Sequence, residues 1–268
     1  MKVDVYTHGH EAAVVDSHRR RTAADSAAYL VPLLKPGMSV LDVGCETGTI
    51  TKDFAALVAP GRVVGVDVDQ AMLDIAAGEY GAVGGLEFTY GNVYELPFDD
   101  ASFDVVHAHQ VLQHLSDQVG ALREMARVAG PGGVVAVRDV NYASMAWYPQ
   151  VPELTRWLEL YRGVAHANGA EPDAGPRLLA WAHEAGLTDV VASASVVLHV
   201  GEGAASWGGS WALRCETSAF RRQAIEQGRA SAADLDEIAA GWRAWSVHPD
   251  AWFAALHGEI VAKGRPIA

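Results

Sequence analysis

Hydrophobic residues between positions 38 and 140 alternate between short apolar runs and stretches in which apolar residues recur at helical spacing. Short apolar runs are typical of strands buried on both faces, and such strands in alternation with helices form parallel βαβ sheets. The runs predicted as strands are 39–43, 62–67, 86–90, 103–109 and 134–137. The pattern therefore predicts an α/β protein with five parallel strands in this block.

The stretches between these strands carry the signals of helix beginnings and ends. Ile50 and Phe54 start an apolar stripe at helical spacing, and Pro60 marks the end of that helix. Asp69 and Ser116 stand where helix N-caps are expected, because their side-chain oxygens can accept hydrogen bonds from the first free backbone N–H groups. Strands and helices therefore alternate through the whole block.

The character of the chain changes on both sides of this block. Segment 17–34 is predicted as a helix that leads to the sheet, with Pro32 close to its end. After the block, helices are predicted at 150–168, 174–186, 215–228 and 231–246, and strands at 190–200 and 252–262. We expect a single domain over residues 1–268, in which the late strands close one edge of the sheet and the helices cover it.

The charge balance of the chain excludes one class of partner. There are 20 Lys and Arg residues against 33 Asp and Glu residues, which gives a net charge of −13. A surface that follows phosphates along a nucleic acid needs the opposite balance. We therefore expect no nucleic-acid partner.

Cysteine usage and hydropathy indicate the compartment. Cys45 and Cys215 are too few and too far apart in sequence for a disulfide framework or a paired-cysteine zinc site. The N-terminus has no long apolar stretch after a basic start, and no apolar run approaches the ~20 residues that span a bilayer. We expect a cytoplasmic protein without membrane insertion.

Ligands of an open parallel sheet bind beyond the carboxyl ends of its strands, so the loops there are the first candidates for a site. In VLDVGCETGTI (40–50), Gly44 and Gly48 bracket a tight turn, and Glu46 stands where a dinucleotide-binding loop would have its middle glycine. Asp67 ends the second strand, where a carboxylate can accept hydrogen bonds from ribose hydroxyls. Together these features predict a nucleoside site without phosphates.

Four segments in order resemble the class I S-adenosylmethionine-dependent methyltransferases. They read VLDVGCETGTI (40–50), VVGVDVDQAMLDIA (63–76), GNVYELPFDDASFDVVHAHQVLQHL (91–115) and LREMARVAGPGGVVAV (122–137). The likeness is closest to the branch that includes ubiquinone and menaquinone biosynthesis methyltransferases, and it covers residues 29–140. It implies a Rossmann-like, mostly parallel seven-stranded sheet with helices on both faces, a reversed last strand and S-adenosylmethionine as cofactor.

The resemblance assigns roles to residues at the matching positions. It places Asp42 and loop 44–48 around the methionine portion of the cofactor, and Asp67 at the ribose. Val68 and Met72 would flank the adenine. The loop residues expected to contact the cofactor are Gly44, Cys45, Glu46 and Gly48.

Further along the chain, the resemblance implies that Asn92 binds the adenine amine and that the Val93 backbone amide points at a ring nitrogen. The family more often has Asp at position 92, but the carbonyl oxygen of Asn can also accept from an amine. His109 and Gln110 are expected to form the wall beside the methionine portion. Tyr6 lies on an N-terminal segment that related enzymes close over the site, and it is expected to cover the methionine end.

Glu46 departs from the family, which usually has glycine at this position. A residue other than glycine is disfavoured where φ is positive. Two outcomes are open: Glu46 weakens cofactor binding, or its carboxylate contacts the ammonium group of the ligand.

His114 and Asp139 are the candidate catalytic residues. An unperturbed imidazole titrates near pH 6.5 and suits general-base catalysis, so His114 could remove an acceptor proton; the alternative is a solvated loop histidine. Asp139 and Asn141, at the carboxyl end of the fifth strand, could orient the acceptor. His107 and His109 share one face of a strand, but no third ligand is fixed beside them, and no metal site is predicted.

Two regions outside the motifs have open interpretations. The N-terminal His8, His10 and His18, with the arginines at 19–21, form either a lid over the site or a polar helix start. All eight Trp residues lie at or beyond Trp147. Most of them are expected to pack helices onto the sheet, and two or three to line an apolar acceptor pocket.

Together these observations predict an enzyme that transfers the methyl group of S-adenosylmethionine to a small organic acceptor by in-line displacement. The acceptor could be aromatic, quinol-like or polyketide-like, and O-, C- and N-methylation all fit. A monomer or a homodimer is expected, with residues 1–37 as the lid, 38–140 as the cofactor-binding core and 141–268 as the substrate side. The alternatives are an NAD-dependent oxidoreductase on a Rossmann fold and a non-catalytic nucleoside-binding relic.

Overall fold

The computed structural model describes residues 4–9 and 11–264, except for the side chains at positions 12 and 13. Their strands form one eight-stranded sheet. The strands are β1 (Ser39–Val43), β2 (Arg62–Asp67), β3 (Leu86–Tyr90), β4 (Val105–His109), β5 (Val134–Val140), β6 (Ala146–Tyr148), β7 (Thr188–Val200) and β8 (Trp252–Lys263). Their order is β3-β2-β1-β4-β5-β8-β6. β7 pairs with the edge of β8 that faces away from β5.

The parallel half of the sheet follows directly from the apolar runs in the sequence. β1 to β5 pair in parallel, and alternate residues of each strand enter two different cores. Leu41, Val64 and Val106 belong to one core cluster, whereas Val40 belongs to another. Burial on both faces is what makes such strands apolar throughout. The predicted α/β class and the five parallel strands are confirmed.

The described residues form ten α-helices, which lie between and after the strands. Their bounds are α1 (Ala12–His18), α2 (Ala23–Ser26), α3 (Thr49–Val58), α4 (Gln70–Tyr80), α5 (Gln118–Ala129), α6 (Pro152–Ala167), α7 (Leu178–Ala185), α8 (Glu202–Thr217), α9 (Ala219–Glu226) and α10 (Ala232–Ser246). Asp69 caps α4 as predicted, since its side chain accepts hydrogen bonds from the first turn. The cap of α5 is Asp117 and not Ser116.

Two helix predictions were wrong because local capping breaks the helix inside the predicted range. Segment 17–34 is not one helix: α1 ends at His18, and Thr22 starts the short α2 with a capping box. Segment 215–228 contains the end of α8 and then α9, separated by Ser218, whose side chain caps α9. The glycines of α8 hide its helical periodicity, because they weaken the apolar stripe.

The last strand, β8, runs opposite to the parallel strands, as the family resemblance implies. Residues of β8 from His257 to Lys263 pair antiparallel with β5, and β7 pairs antiparallel with the opposite edge of β8. Because β8 extends beyond β5, its first residues accept an added short strand, β6. The sheet therefore has one more strand than the seven expected.

A third core lies in the helical layer that follows β5. It contains the aromatic side chains of α6, α8 and α10, and four of its tryptophans are fully enclosed: Trp157, Trp211, Trp242 and Trp245. Their rings meet edge to face, with Trp157 4.5 Å from Trp211 and 4.8 Å from Trp242 between ring centroids. The prediction that most tryptophans pack helices onto the sheet agrees with this arrangement.

Within residues 4–9 and 11–264, none of the helices combines the length and the apolar character that crossing a lipid bilayer requires. A cytoplasmic location and a monomeric or dimeric state stay predictions.

Candidate functional site

A cavity of about 280 Å³ opens at the carboxyl ends of β1, β2 and β4. We call it the strand-end cavity. Its floor consists of the loops that follow these strands, and its cover is the N-terminal segment of the chain. The polar and aromatic side chains on its wall come from Asp4, Tyr6, His18, Arg21, Glu46, Asp67, Asn92, Tyr94, His109, Gln110 and His114.

The turn after β1 requires glycine at two positions. Gly44 has φ +69°, and a Cβ there would lie 2.5 Å from Cγ2 of Val111. Gly48 has φ +76° at the N-cap of α3, and a Cβ there would lie 2.7 Å from the ring of Phe88. Left-handed backbone without a side chain lets this turn approach its neighbours closely. The loop is therefore shaped by its glycines, as the sequence predicts.

Asp67 joins the loops of β1 and β2 beneath the cavity. Its Oδ2 accepts a hydrogen bond from the Glu46 backbone N–H at 2.9 Å, and its Oδ1 accepts one from the Asp69 backbone N–H at 2.9 Å. Asp67 also lines the cavity, so a carboxylate stands at the cavity floor where β2 ends.

Glu46 adopts the left-handed conformation that the sequence analysis treats as costly, with φ +49°. Its carboxylate lies 2.5 Å from Nδ1 of His18 at the end of α1. Both side chains line the strand-end cavity and also a smaller adjoining pocket of about 20 Å³. The N-terminal segment is thus attached to the glycine loop through this pair.

Arg21 provides a positive charge on the same wall. Its Nη2 donates to Oε1 of Gln110 at 2.9 Å, and Gln110 in turn donates through Nε2 to His257 at 2.9 Å. Gln110 also has a positive φ of +56°, which turns its side chain into the cavity wall. No ion pair to Arg21 occurs among the described residues. The guanidinium is therefore available for an anionic ligand group.

Tyr6 and His114 form the part of the wall that faces the helical layer. Their rings meet edge to face with centroids 4.7 Å apart. Burial raises the pKa of the Tyr6 hydroxyl well above its ordinary range. Asp4 anchors the same segment, since its Oδ2 accepts from the Tyr94 hydroxyl at 2.6 Å.

Two buried histidines stand behind the glycine loop. His107 donates from Nδ1 to Oδ1 of Asp42 at 2.7 Å, and Oδ2 of Asp42 accepts from the Thr51 hydroxyl at 2.6 Å. This network uses the strand histidine as a structural donor. His109 is also buried, and burial lowers its pKa well below 6.5, so its ring is neutral.

Comparisons with known proteins identify what kind of protein carries this site. A family model described as a methyltransferase domain matches residues 41–137. An uncharacterized methyltransferase of Schizosaccharomyces pombe is 30% identical over 269 residues, and the match covers 96% of each chain. The chain belongs to the class I S-adenosylmethionine-dependent methyltransferases. Its cofactor is therefore S-adenosylmethionine, and the family decides against the oxidoreductase alternative.

The other similarities of this methyltransferase agree with its sequence motifs and its fold. The ubiquinone/menaquinone biosynthesis C-methyltransferase UbiE of Hahella chejuensis is 41% identical over 112 residues, which cover 40% of this chain and 45% of that protein. The solved structure of the YcgJ protein from Bacillus subtilis is 22% identical, has a TM-score of 0.59, and covers 91% of this chain and 100% of its own. The second likeness supports the fold alone.

The structure brings most of the predicted cofactor residues of the methyltransferase together. The strand-end cavity is lined by Tyr6, Gly44, Glu46, Asp67, Val68, Asn92, Val93, His109 and Gln110, and the smaller pocket also by Asp42 and Cys45. Gly48 and Met72 line neither, since Gly48 caps α3 and Met72 is buried within α4. Gly48 and Met72 therefore position the helices beside the cavity, and their own atoms do not line it.

The two predicted catalytic residues are placed differently. His114 lines the strand-end cavity, whereas Asp139 is fully enclosed and lies outside the lining. Asp139 accepts hydrogen bonds from the backbone N–H groups of Leu112 and Gln113, at 3.2 and 3.3 Å. It therefore fixes the 3₁₀ turn Leu112–His114 that carries His114, and its geometry gives no support to contact with an acceptor.

Sequence reasoning missed several wall residues of the methyltransferase. His18 and Arg21 were named only as part of a possible lid, and Asp4, Tyr90 and Tyr94 were not singled out. Tyr90 ends β3 and Tyr94 lies in the third family segment, but neither has a role implied by the resemblance. Asp4, His18 and Arg21 reach the cavity only through long-range folding. None of the tryptophans, all within the described residues, lines the strand-end cavity, and His10 lies outside the described residues.

Proposed function

We propose that the strand-end cavity binds S-adenosylmethionine and that the enzyme transfers its methyl group to a small organic acceptor bound on the side of Tyr6 and His114. The observation that carries this proposal is the distribution of charge in the cavity. The Asp67 carboxylate lies beneath one end, and Glu46 and Arg21 bring opposite charges to the other. A nucleoside joined to a zwitterionic amino acid is complementary to that arrangement.

The nucleoside end fits the residues after β2 and β3. The Asp67 carboxylate lines the cavity at the end of β2, and a carboxylate at this position is an acceptor of the kind that ribose hydroxyls bind. Asn92 lines the cavity, and its Oδ1, which accepts from the Tyr94 backbone N–H at 3.0 Å, is an acceptor of the kind that an adenine amine binds. Val68 is 58% exposed at the cavity edge, where an apolar side chain can cover one face of a base.

The amino-acid end fits the glycine loop and the N-terminal segment. Arg21 offers donors to a carboxylate, and charge-assisted contacts of this kind are about twice as strong as neutral ones. The Glu46 carboxylate offers an acceptor to an ammonium group. This supports the second of the two outcomes for Glu46, in which its side chain contacts the ligand.

The protein's part in the transfer is alignment and proton removal. When bound, S-adenosylmethionine supplies an electrophilic methyl group on a sulfonium that leaves as a neutral thioether. Alignment of the reacting atoms can contribute on the order of 7–11 kcal/mol, so few groups have to take part in the chemistry. The His114 imidazole would accept the proton of a hydroxyl or acidic carbon acceptor. An acceptor with a free lone pair and no proton to lose needs no base.

Thermal unfolding with S-adenosylhomocysteine, and separately with NADH, tests the cofactor part of the proposal. At roughly a hundredfold excess over the dissociation constant, binding adds about 2.7 kcal/mol to stability, which for a chain of this size is a shift of several degrees. We expect a shift with S-adenosylhomocysteine alone. A shift with NADH alone, or with neither ligand, would contradict the proposed site.

Turnover against a panel of phenols and quinols tests the transfer itself. Acceptor-dependent release of S-adenosylhomocysteine is expected, and it also excludes a non-catalytic relic. A protein that binds the cofactor but releases no product with any phenol, quinol or amine acceptor would contradict the transfer while leaving the site intact.

A further inference from the structure

A buried arginine lies next to the strand-end cavity without a negative partner. Arg214 belongs to α8, and only 3% of it is exposed. Its Nη1 donates to Nδ1 of His8 at 3.2 Å, its Nη2 donates to the Ser17 hydroxyl at 2.6 Å, and its guanidinium lies 4.8 Å from the ring centroid of Trp211. All of these partners are neutral or uncharged.

The charge of Arg214 is thus not compensated in this state of the protein. Its Nε is buried and has no hydrogen-bond partner, and no carboxylate contacts the guanidinium among the described residues. Burial lowers the pKa of Arg214, which is the physical sign of an unfavourable environment for the cation. A buried charge of this kind is expensive unless an anion pairs with it.

The position in front of Arg214 is filled by a planar ring. The His8 imidazole stacks on the Tyr161 ring with centroids 5.0 Å apart and an interplanar angle of 25°. Burial lowers the pKa of His8 well below 6.5, so the ring is neutral, and its Nε2 donates to the Tyr161 hydroxyl at 2.8 Å. His8 therefore occupies a slot built for a flat group that accepts from Arg214.

The slot adjoins the wall of the strand-end cavity. The His8 ring meets the His114 ring with centroids 5.5 Å apart and the Tyr6 ring at 5.8 Å. His8 and Tyr6 both belong to the irregular segment 4–9, which is attached to the rest of the protein through side-chain contacts. Outward movement of this segment would join the slot to the cavity at His114.

We propose that Arg214 binds the carboxylate of an aromatic acid acceptor, whose ring takes the place of His8 on Tyr161. This rests on the proposed function and names the acceptor class of the same site. An aromatic carboxylate reproduces the stacking and the hydrogen bond of His8 and supplies the missing negative charge. Binding in the slot places the far edge of the acceptor ring at His114, the candidate base.

Thermal unfolding of the full chain, saturated with S-adenosylhomocysteine, tests this proposal with matched probes. Hydroxybenzoates and hydroxycinnamates are compared with their methyl esters, which keep the ring and remove the charge. We expect the acids to raise the midpoint of unfolding further and the esters to have little effect. Equal effects of acid and ester, or no effect of any acid, would overturn the proposal.

Variants test whether Arg214 is the residue that binds the carboxylate of the acid. Arg214→Met keeps the aliphatic stem and is expected to weaken acid binding roughly tenfold to a hundredfold, the range of a hydrogen bond to a charged group. Arg243→Met is the control, because Arg243 is an exposed arginine already paired with Glu216. His8→Ala vacates the slot and is expected to bind the acids more tightly than the wild type.

The outcomes separate this inference from the proposed function. If S-adenosylhomocysteine does not shift the unfolding midpoint of the wild type, the proposed cofactor site is refuted. A normal shift with that ligand, combined with acid binding that survives Arg214→Met, would refute the role of Arg214 alone. If Arg214→Met does not fold, the acid and ester comparison on the wild type and on His8→Ala decides the question.

Discussion

The carboxylate of Glu46 lies 2.5 Å from Nδ1 of His18, and this pair attaches the end of α1 to the glycine loop after β1. The contact explains how a glutamate persists at φ +49°, where a side chain costs about 1 kcal/mol of backbone strain. The strain of the loop is offset by the attachment of the segment that covers the cavity.

Substitutions of Glu46 should separate the cost of the backbone strain from the stabilisation by the pair with His18. Glu46→Gly removes both the strain and the pair, so its unfolding free energy is expected to stay close to that of the wild type. Glu46→Gln keeps the strain and loses the charge, and is expected to be about 1 kcal/mol less stable than the glycine variant. Urea unfolding without ligand measures this order. The reverse order would mean that the backbone at position 46 is unstrained.

The ribose role proposed for Asp67 predicts a large loss of cofactor affinity in Asp67→Asn. Two hydroxyls lose a charged acceptor, so S-adenosylhomocysteine should bind roughly a hundredfold more weakly by titration calorimetry. Asp74→Asn on α4 is the matched control, because Asp74 is exposed and contacts the Gln70 side chain. A similar loss in both variants would show a general charge effect and not a contact.

The base role proposed for His114 predicts a fall in turnover with little change in cofactor binding. His114→Gln should lower kcat by about 10²–10⁴ for an acceptor that must lose a proton, the usual contribution of general-base catalysis. A variant that retains the wild-type rate with a hydroxyl acceptor would leave His114 as a wall residue.

The raised pKa of Asp139 predicts that the stability of the protein depends on pH. Burial raises the pKa of the Asp139 carboxyl group from the ordinary 3.8 to about 8. Between these two pH values the folded chain keeps a proton that the unfolded chain has released. The stability from this group is complete below about pH 4 and is lost as the pH rises to about 8. Asp139→Asn, which cannot ionise, should gain stability over the wild type between about pH 5 and pH 8. An unchanged difference across this range, by urea unfolding, would contradict the raised pKa.

The glycine at position 48 is required by its backbone and its surroundings. Gly48→Ala should cost about 1–3 kcal/mol, because φ is +76° and the added Cβ meets the Phe88 ring. Gly78→Ala is the matched control, since nothing lies within 4 Å of its Cβ position in α4. The control should gain about 0.5–1 kcal/mol from helix propensity. Equal effects at the two glycines would contradict the strained geometry.

The sequence predicts the parallel core closely because its signals are local. β1, β2 and β3 match the predicted bounds residue for residue, since each is a short apolar run between turn residues. Fold class and cofactor loop follow from the same block. Most of α8 escaped prediction, because Gly208 interrupts its buried apolar stripe and the glycines at 203 and 209 lower its helix propensity.

The contacts that hold the cover of the site could not be predicted, because they join distant parts of the chain. His18 reaches Glu46 across 28 positions, and Arg214 reaches His8 across 206. The sequence places Asp139 correctly at the end of β5, but enclosure by the 3₁₀ turn of His114 is a tertiary property. The motifs therefore predict residues of the binding loops and the resemblance predicts Tyr6, whereas the partners of His18 and Arg214 could not be predicted.

The tryptophans, which dominate the intrinsic fluorescence of the protein, all lie in its C-terminal part. All eight indoles lie at or beyond Trp147, and the four that are fully enclosed belong to the helical layer after β5. Intrinsic fluorescence therefore reports mainly the packing of that layer, with Trp181 on α7 reporting a core cluster of the sheet. Far-ultraviolet dichroism reports the helices and strands of the whole chain. Denaturation curves from the two signals coincide only if both layers unfold in one step. The arrangement supplies a natural probe of the helical layer, and none of the tryptophans lines the strand-end cavity.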